Sequence, residues 1–231
     1  YFDRHIERTG DTRWGITAVN LRGVDQAAFA EAAKPDGYIL RRLNNAGHVD
    51  DRLIRCHAGF IDWSTDRAAT EAAMAAASVQ AVTMTVTEAG YSLDGKGQLD
   101  LNDPIIRAEL DGAEGQTVYA YLTQGLRLRA ERLGAPITLL NCDNIRRNGK
   151  MLARNLIAYL EALGDGDLVH WVKQNVTFPS SMVDRITPQT SADHHDEATA
   201  LYGEGVDLGP TIHAESFIQW VIEDNFCAGR P

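Results

Sequence analysis

The segment Pro136-Ile-Thr-Leu-Leu-Asn-Cys142-Asp143-Asn144-Ile-Arg-Arg-Asn148-Gly149 is an apolar run that closes in a polar cluster and passes directly into a helical pattern. An open α/β sheet presents functional side chains in this way, from the carboxyl ends of buried strands. Two further segments repeat the arrangement: Val82-Thr-Met-Thr-Val-Thr87-Glu88-Ala89-Gly90-Tyr91, and Val176-Thr-Phe-Pro179-Ser-Ser-Met182-Val183-Asp184-Arg185-Ile186-Thr187-Pro188. Three such strand ends restrict the chain to α/β architectures with a ligand crevice along one sheet edge.

The rest of the chain alternates in keeping with this. Residues 1–8 read as the last turns of a helix, 15–21 as a buried strand, and 24–34 as a helix stopped by Pro35-Asp36-Gly37. Residues 38–43 and 53–61 read as strands around an Asn44-Asn45-Ala46-Gly47 turn, followed by an alanine-rich helix to about residue 77, capped by Thr65 or Asp66. A strand from residue 79, a Gly95-Lys96-Gly97 turn, a helix over 117–133 and the strand from Ile137 come next. Helices over 146–163 and 167–174, an extended stretch from Val176 and an amphipathic helix over 213–226 complete the series, with 191–209 polar and loop-like. Strands separated by helices pair in parallel, so the expected fold is a doubly wound, mostly parallel sheet with helices on both faces.

Charge and composition remove several classes of partner. The formal charge is -10, from 22 basic and 32 acidic residues, and no Lys/Arg cluster lines a face, which argues against nucleic acid. No apolar run approaches the roughly 20 residues that cross a bilayer, so no membrane association is expected. Cys56, Cys142 and Cys227 are odd in number and widely spaced, which points to ordinary thiols in a reducing, cytoplasmic setting. His194-His195-Asp196 lacks the i, i+4 spacing with which helical histidines meet one ion, so no metal site is expected. His57 and Asp62 have no Gly-x-Ser-x-Gly elbow to supply a nucleophile. Trp63, Trp171 and Trp220 read as core residues.

Thr87, Glu88, Asn144 and Asp184 stand at or just beyond strand ends. Singly, each reads as a cap or turn residue; as a set, they offer carboxylates and an amide to one edge, which favours a site. Asp25, four residues past Leu21, is placed either to cap the following helix or to accept hydrogen bonds from the ribose hydroxyls of a dinucleotide. The Gly-x-Gly-x-x-Gly turn that should precede it is not among these residues, and Gly95-Lys-Gly97, Gly164-Asp-Gly166 and Gly203-Glu-Gly205 lack its third glycine.

These segments resemble the polyol-specific long-chain dehydrogenases, the mannitol dehydrogenase family, which includes mannitol 2-dehydrogenase, D-arabinitol 4-dehydrogenase and the fructuronate and tagaturonate reductases. The carriers are Thr87-Glu88-Ala89-Gly90-Tyr91, Leu140-Asn-Cys142-Asp143-Asn144 with Asn148-Gly149, the stretch from Phe178 to Pro188, and Glu215-Ser-Phe217-Ile218-Gln219-Trp220-Val221-Ile222-Glu223-Asp224. Gly10-Asp-Thr-Arg-Trp14, Leu139-Leu-Asn-Cys-Asp-Asn144 and the 217–225 segment look most like the arabinitol branch, with the mannitol branch close behind.

The resemblance implies a Rossmann-type domain that binds NAD. It assigns Asp25 as the acidic determinant of preference for NAD over its phosphorylated form, although Val24 replaces a second acidic residue present in some members. Arg22 joins Asp25 among the expected cofactor contacts. Thr87 and Glu88 are expected near the nicotinamide, Asp184 at the junction of cofactor and substrate, and Asn144 as the amide that polarises the reacting oxygen. The family's base is a lysine in a C-terminal helical domain, followed by asparagine five and histidine eight residues later. Lys150 has Asn155 at the first spacing but Ala158 at the second, and is set aside. The chain is therefore expected to be most of a cofactor domain, cut at both ends, whose site is completed by a missing C-terminal domain. The leading reaction is interconversion of D-arabinitol and D-xylulose, followed by D-mannitol and D-fructose, then uronate reduction. The reading from another class is a non-catalytic nucleotide-binding half.

Overall fold

The computed structural model describes residues 1–44, 46–188, 196, 200–202 and 206–229. In chain order the elements are α1 (Phe2–Thr9), β1 (Ile16–Asn20), α2 (Gln26–Ala32), β2 (Tyr38–Leu43), β3 (Val49–Ile54), β4 (His57–Asp62), α3 (Arg67–Met74) and β5 (Ala81–Met84). Then follow α4 (Pro104–Leu110), α5 (Val118–Arg132), β6 (Ile137–Asn141), α6 (Asn148–Ala162), α7 (Gly166–Asn175), β7 (Val176–Thr177), β8 (Ser181–Asp184), β9 (Ile212–Glu215) and β10 (Gln219–Ile222). Single 3-10 turns occupy Gly23–Asp25 and Glu88–Tyr91. The chain divides into two compact units, Tyr1–Asp66 with Asp184–Gln219, and Arg67–Val183 with Trp220–Pro231.

In the first unit, β1 pairs in parallel with β4, and β2 pairs antiparallel with β3 and parallel with β9. The β2–β3 turn is closed by Asn44, whose side-chain oxygen accepts from the amides of Ala46 at 3.0 Å and His48 at 2.9 Å. Arg41 and Asp51 face each other across this hairpin and form a bidentate pair, Nε to Oδ1 and Nη2 to Oδ2 both at 2.8 Å. Arg41 is buried, so the fork geometry is what satisfies its charge there.

Two expectations fail in this part of the sequence. The strand expected over 53–61 is two strands, β3 and β4, broken at Arg55-Cys56. One segment has to run antiparallel to β2 and the next parallel to β1, and a corner is the only way to change sheets. The helix expected over 213–226 is instead β9 and β10. Backbone pairing of β9 along β2, from Leu40 opposite Ile212 to Leu43 opposite Glu215, overrides the helical spacing, and the Trp-Val-Ile composition of β10 suits a strand. The 191–209 stretch lies largely outside the described residues, as do His194 and His195.

The second unit is built on β5–β6–β7, paired in parallel with β6 in the middle. All five residues of β6 are buried, Ile137 and Leu139 completely. Burial of each such side chain contributes roughly 1.5–3 kcal/mol, so this strand anchors the core. Helix α5 falls within the helix expected over 117–133 and begins where Thr117 Oγ1 accepts from the Ala120 amide at 3.2 Å. Near its end, the buried Arg129 donates to the carbonyls of Met74 at 2.8 Å, Ala135 at 2.9 Å and Pro136 at 2.9 Å, joining the end of α3 to the approach of β6. Helix α4 was not anticipated, yet Asp103-Pro104 is a start signal. Asp103 caps the amides of Ile105 and Ile106, and Pro104 occupies the first turn, where no amide donor is needed. Strand β8 pairs with β10.

Helix α6 starts against the 178–179 backbone. A Cβ on Gly149 would lie 2.4 Å from the Phe178 carbonyl oxygen and 2.6 Å from the carbonyl atoms of Pro179. Gly149→Ala should therefore destabilise by about 1–3 kcal/mol, although alanine is the better helix former. Urea unfolding measures this, and an unchanged midpoint would show that the backbone gives way.

Candidate functional site

β5 and β6 run side by side, with Met84 opposite Asn141, and their carboxyl ends open on the same edge. Beyond them the chain supplies Val86-Thr87-Glu88 on one side and Cys142-Asp143-Asn144 on the other. The buried Asp143 carboxylate joins the two: it accepts from the Val86 amide at 3.0 Å, the Thr87 amide at 2.9 Å and the Tyr91 hydroxyl at 2.6 Å. Asn141 orients both partners. Its amide donates to the Tyr91 hydroxyl at 2.8 Å, and its oxygen accepts from the Asp143 backbone at 2.7 Å. Burial, and then the Asp143 carboxylate, push the Tyr91 hydroxyl far above its ordinary pKa, so it stays a neutral donor.

A second set of bonds brings in the third strand end. The Asn148 amide donates to the carbonyls of Asn141 at 3.0 Å, Asp143 at 2.9 Å and Ser181 at 3.0 Å, while its oxygen accepts from the Ser181 amide at 2.9 Å. The Ser181 hydroxyl donates to the Asn141 carbonyl at 2.6 Å. The end of β6, the start of α6 and the start of β8 are thereby fixed to one another.

On this buried frame the expected site residues are exposed. Thr87 and Glu88 follow the end of β5, Asn144 follows the end of β6, and Asp184 is the exposed last residue of β8. Neither Thr87 nor Asp25 makes a side-chain capping bond to the helical turn it precedes, so the capping alternative does not account for them. Thr87 has φ 69° and ψ 157°, a region that β-branched residues avoid at a cost of order 1–3 kcal/mol. Such strain persists only where the surroundings enforce it, and here the Asp143 carboxylate holds its amide. An open depression of about 730 Å³ adjoins Glu88 and is lined also by Ser92, Leu93, Asp94 and Asp100.

In the first unit, Arg22 and Asp25 follow β1. Arg22 Nε lies 3.3 Å from Asp25 Oδ2, and both side chains are more than half exposed, so this pair is weak and either group is free to exchange partners. The loop beneath is rigid. Asn20 donates to the Arg22 carbonyl at 2.9 Å and to Asp62 at 3.1 Å, and Asp62 accepts from the Ser64 amide at 2.8 Å and hydroxyl at 2.5 Å. The hydrogen bond from Ser64, with help from Asn20, holds the Asp62 carboxyl below its usual pKa.

Other candidates fall into structural roles. His57 stacks on Phe60 and tilts against Tyr38, and burial lowers its pKa. Asn155, the spacing partner of Lys150, is fully buried and accepts from the Leu99 amide at 3.1 Å, while Lys150 is exposed. Trp63 is core, at 1% exposure, whereas Trp171 and Trp220 are only partly buried. Burial raises the Cys142 thiol, leaving it a poor nucleophile. Among the described residues no cluster of His, Cys, Asp or Glu could hold a metal ion, and no helix is long and apolar enough to cross a membrane. Sequence reasoning passed over Asp143, Tyr91 and Asn148 as working residues. Each stands inside a motif it quoted, but nothing in spacing distinguishes a buried acceptor from its exposed neighbour.

Because the Asp62 pKa is lower in the folded state, its charge stabilises the fold above the unfolded carboxyl value of about 3.9, and that contribution disappears as pH falls through the folded value. As pH falls below about 4, the native chain should lose more stability than Asp62→Asn. Parallel urea curves for the two would contradict this.

The chain matches the family described as mannitol dehydrogenase Rossmann domain over residues 7–231. It is 41% identical to the D-arabinitol 4-dehydrogenase of Ralstonia nicotianae over 220 residues, covering 95% of this chain and 47% of that protein. It is 34% identical to a polyol:NADP oxidoreductase of Gluconobacter oxydans, covering 100% of this chain and 48% of that one. Among solved structures, the Pseudomonas fluorescens mannitol 2-dehydrogenase ternary complex with NAD and D-mannitol superposes with a TM-score of 0.88 at 31% identity, over 100% of this chain and 47% of that one. The chain thus spans about half the length of the curated relatives it matches. With its parallel β5–β6–β7 sheet and its strand-end cluster, the chain belongs to the mannitol dehydrogenase family, as the Rossmann domain of that family.

Proposed function

We propose that this chain is the cofactor-binding part of an NAD-dependent oxidoreductase that interconverts a polyol and its ketose, with D-arabinitol and D-xylulose as the leading pair. The reading rests on one observation above others, the chain-long match to an arabinitol dehydrogenase, and is supported by the exposed strand-end residues that this chain carries on a buried frame. NAD, when bound, would take a hydride from the carbinol carbon. Asn144 would donate its amide to the oxygen of that carbon, where negative charge develops. Thr87 and Glu88 would line the nicotinamide side, Asp184 would stand between cofactor and substrate, and Asp25 would accept from the adenosine ribose hydroxyls with Arg22 beside it. The base is expected from a C-terminal domain outside these residues. D-mannitol is the second reading, favoured by the structural likeness to a mannitol 2-dehydrogenase.

The test is NAD reduction at alkaline pH by the full-length protein, with D-arabinitol, D-mannitol, D-sorbitol and D-mannonate supplied separately and a chelator present. Turnover is expected, fastest with D-arabinitol; silence toward all four would favour the nucleotide-binding half. In the active enzyme, Asn144→Ala should lower kcat about 100-fold or more while leaving NADH affinity nearly intact, as for loss of one oxyanion donor. Unchanged turnover would remove Asn144 from the site.

Cofactor choice gives a separate check. The Asp25 carboxylate, held only loosely by Arg22, would repel a 2′-phosphate. Asp25→Asn should raise the ratio of NADP to NAD use, because it removes that repulsion and frees the Arg22 guanidinium. A constant ratio would leave Asp25 without a part in cofactor selection.

A further inference from the structure

Asp143 is 5% exposed, and among the described residues no cation pairs with it. Its charge is satisfied by donors alone: the amides of Val86 and Thr87, and the Tyr91 hydroxyl that Asn141 orients. The two amides belong to the segment that turns sharply at Thr87, with φ 69° and ψ 157°, and then exposes Glu88. The acceptor thus stands on one strand end and the constrained segment on the other. The Asn148 and Ser181 bonds prevent the acceptor from drifting.

We infer that Asp143 is a positioning residue for the nicotinamide half of the cofactor: its carboxylate holds the Val86-Thr87 backbone in the strained turn that presents Thr87 and Glu88 to the site. This rests on the cofactor reading given above. Three donors converge on the two oxygens, so the role requires acceptors on both. An asparagine in its place has one oxygen and turns an NH2 group toward donors that have nowhere else to go. The turn then loses the contact that opposes its strain and relaxes, and the groups near the nicotinamide move with it.

Glu109 provides a matched control. It is a buried carboxylate of the same exposure, 5%, and accepts from the Thr117 amide at 2.7 Å, the Thr117 hydroxyl at 2.8 Å and the Tyr159 hydroxyl at 2.9 Å. These bonds join α4 to the start of α5 and, through Tyr159, to the later part of α6, and share no partner with the strand-end cluster. Loss of either carboxylate should lower Tm; only loss of Asp143 should change how the nicotinamide is held.

The experiment compares dissociation constants for NADH and for ADP-ribose, which lacks the nicotinamide, in the full-length protein and in Asp143→Asn, Tyr91→Phe and Glu109→Gln. Asp143→Asn is expected to weaken NADH about tenfold and ADP-ribose hardly at all, with Tyr91→Phe moving NADH about threefold in the same direction. Glu109→Gln should change neither constant despite its lower Tm. Equal weakening of both ligands by Asp143→Asn, or of neither, would overturn the inference, and Tyr91→Phe decides the matter if Asp143→Asn fails to fold. If the native protein binds NADH but oxidises no polyol, the polyol assignment fails alone and the ligand comparison still judges Asp143. If it binds neither ligand, both readings fall.

Discussion

The carboxamide of Asn148 satisfies the backbone at the one place where three segments meet. Three carbonyls and one amide, from the end of β6, the turn after it and the start of β8, converge on this single side chain. A buried peptide group left unpaired costs about 1–3 kcal/mol, so the geometry of the strand ends depends on this residue as well as on the apolar burial of β6. The close seating of Gly149 on the Phe178 and Pro179 carbonyls accompanies it at the same helix start.

The resulting site has two layers with different chemistry. Asn141, Asp143, Asn148 and Ser181 are buried and spend their hydrogen-bonding capacity on one another and on backbone; Thr87, Glu88 and Asn144 are exposed and keep theirs. A group committed to the frame cannot also recognise a ligand, so only the exposed layer is open to one. The division also locates the strain. The awkward conformation of Thr87 is enforced from beneath by a carboxylate, and its side chain remains available above.

Much of this was legible in the sequence where a local signal and the tertiary outcome agree. The helix read over 117–133 is α5 and the apolar strand read from Ile137 is β6. The failures share one cause. Residues 213–226 carry a spacing compatible with a helix, but the open side of β2 claimed Ile212–Glu215 through backbone pairing that side-chain period does not encode. Residues 53–61 are evenly strand-like, and only the need to serve two sheets of different sense divides them at Cys56. Within the site, the resemblance selected Asn144 and passed over its neighbour Asp143, because adjacent polar residues at a strand end differ only in which way the finished fold turns them.

The Asn148-Gly149 pair has a consequence for how the protein ages. An asparagine followed by glycine is ordinarily prone to deamidation, since the glycine nitrogen can attack the side-chain carbonyl carbon and form a succinimide. Here that nitrogen donates to the Asn148 oxygen at 2.8 Å within the first turn of α6, and the leaving amide is held by three carbonyls. The attack geometry is reached only when the start of α6 opens, a local event with its own free energy. Slow conversion of Asn148 to aspartate or isoaspartate in stored protein would therefore act as a chemical clock for openings of the helix start, and each conversion would remove the amide donor that ties the strand ends together.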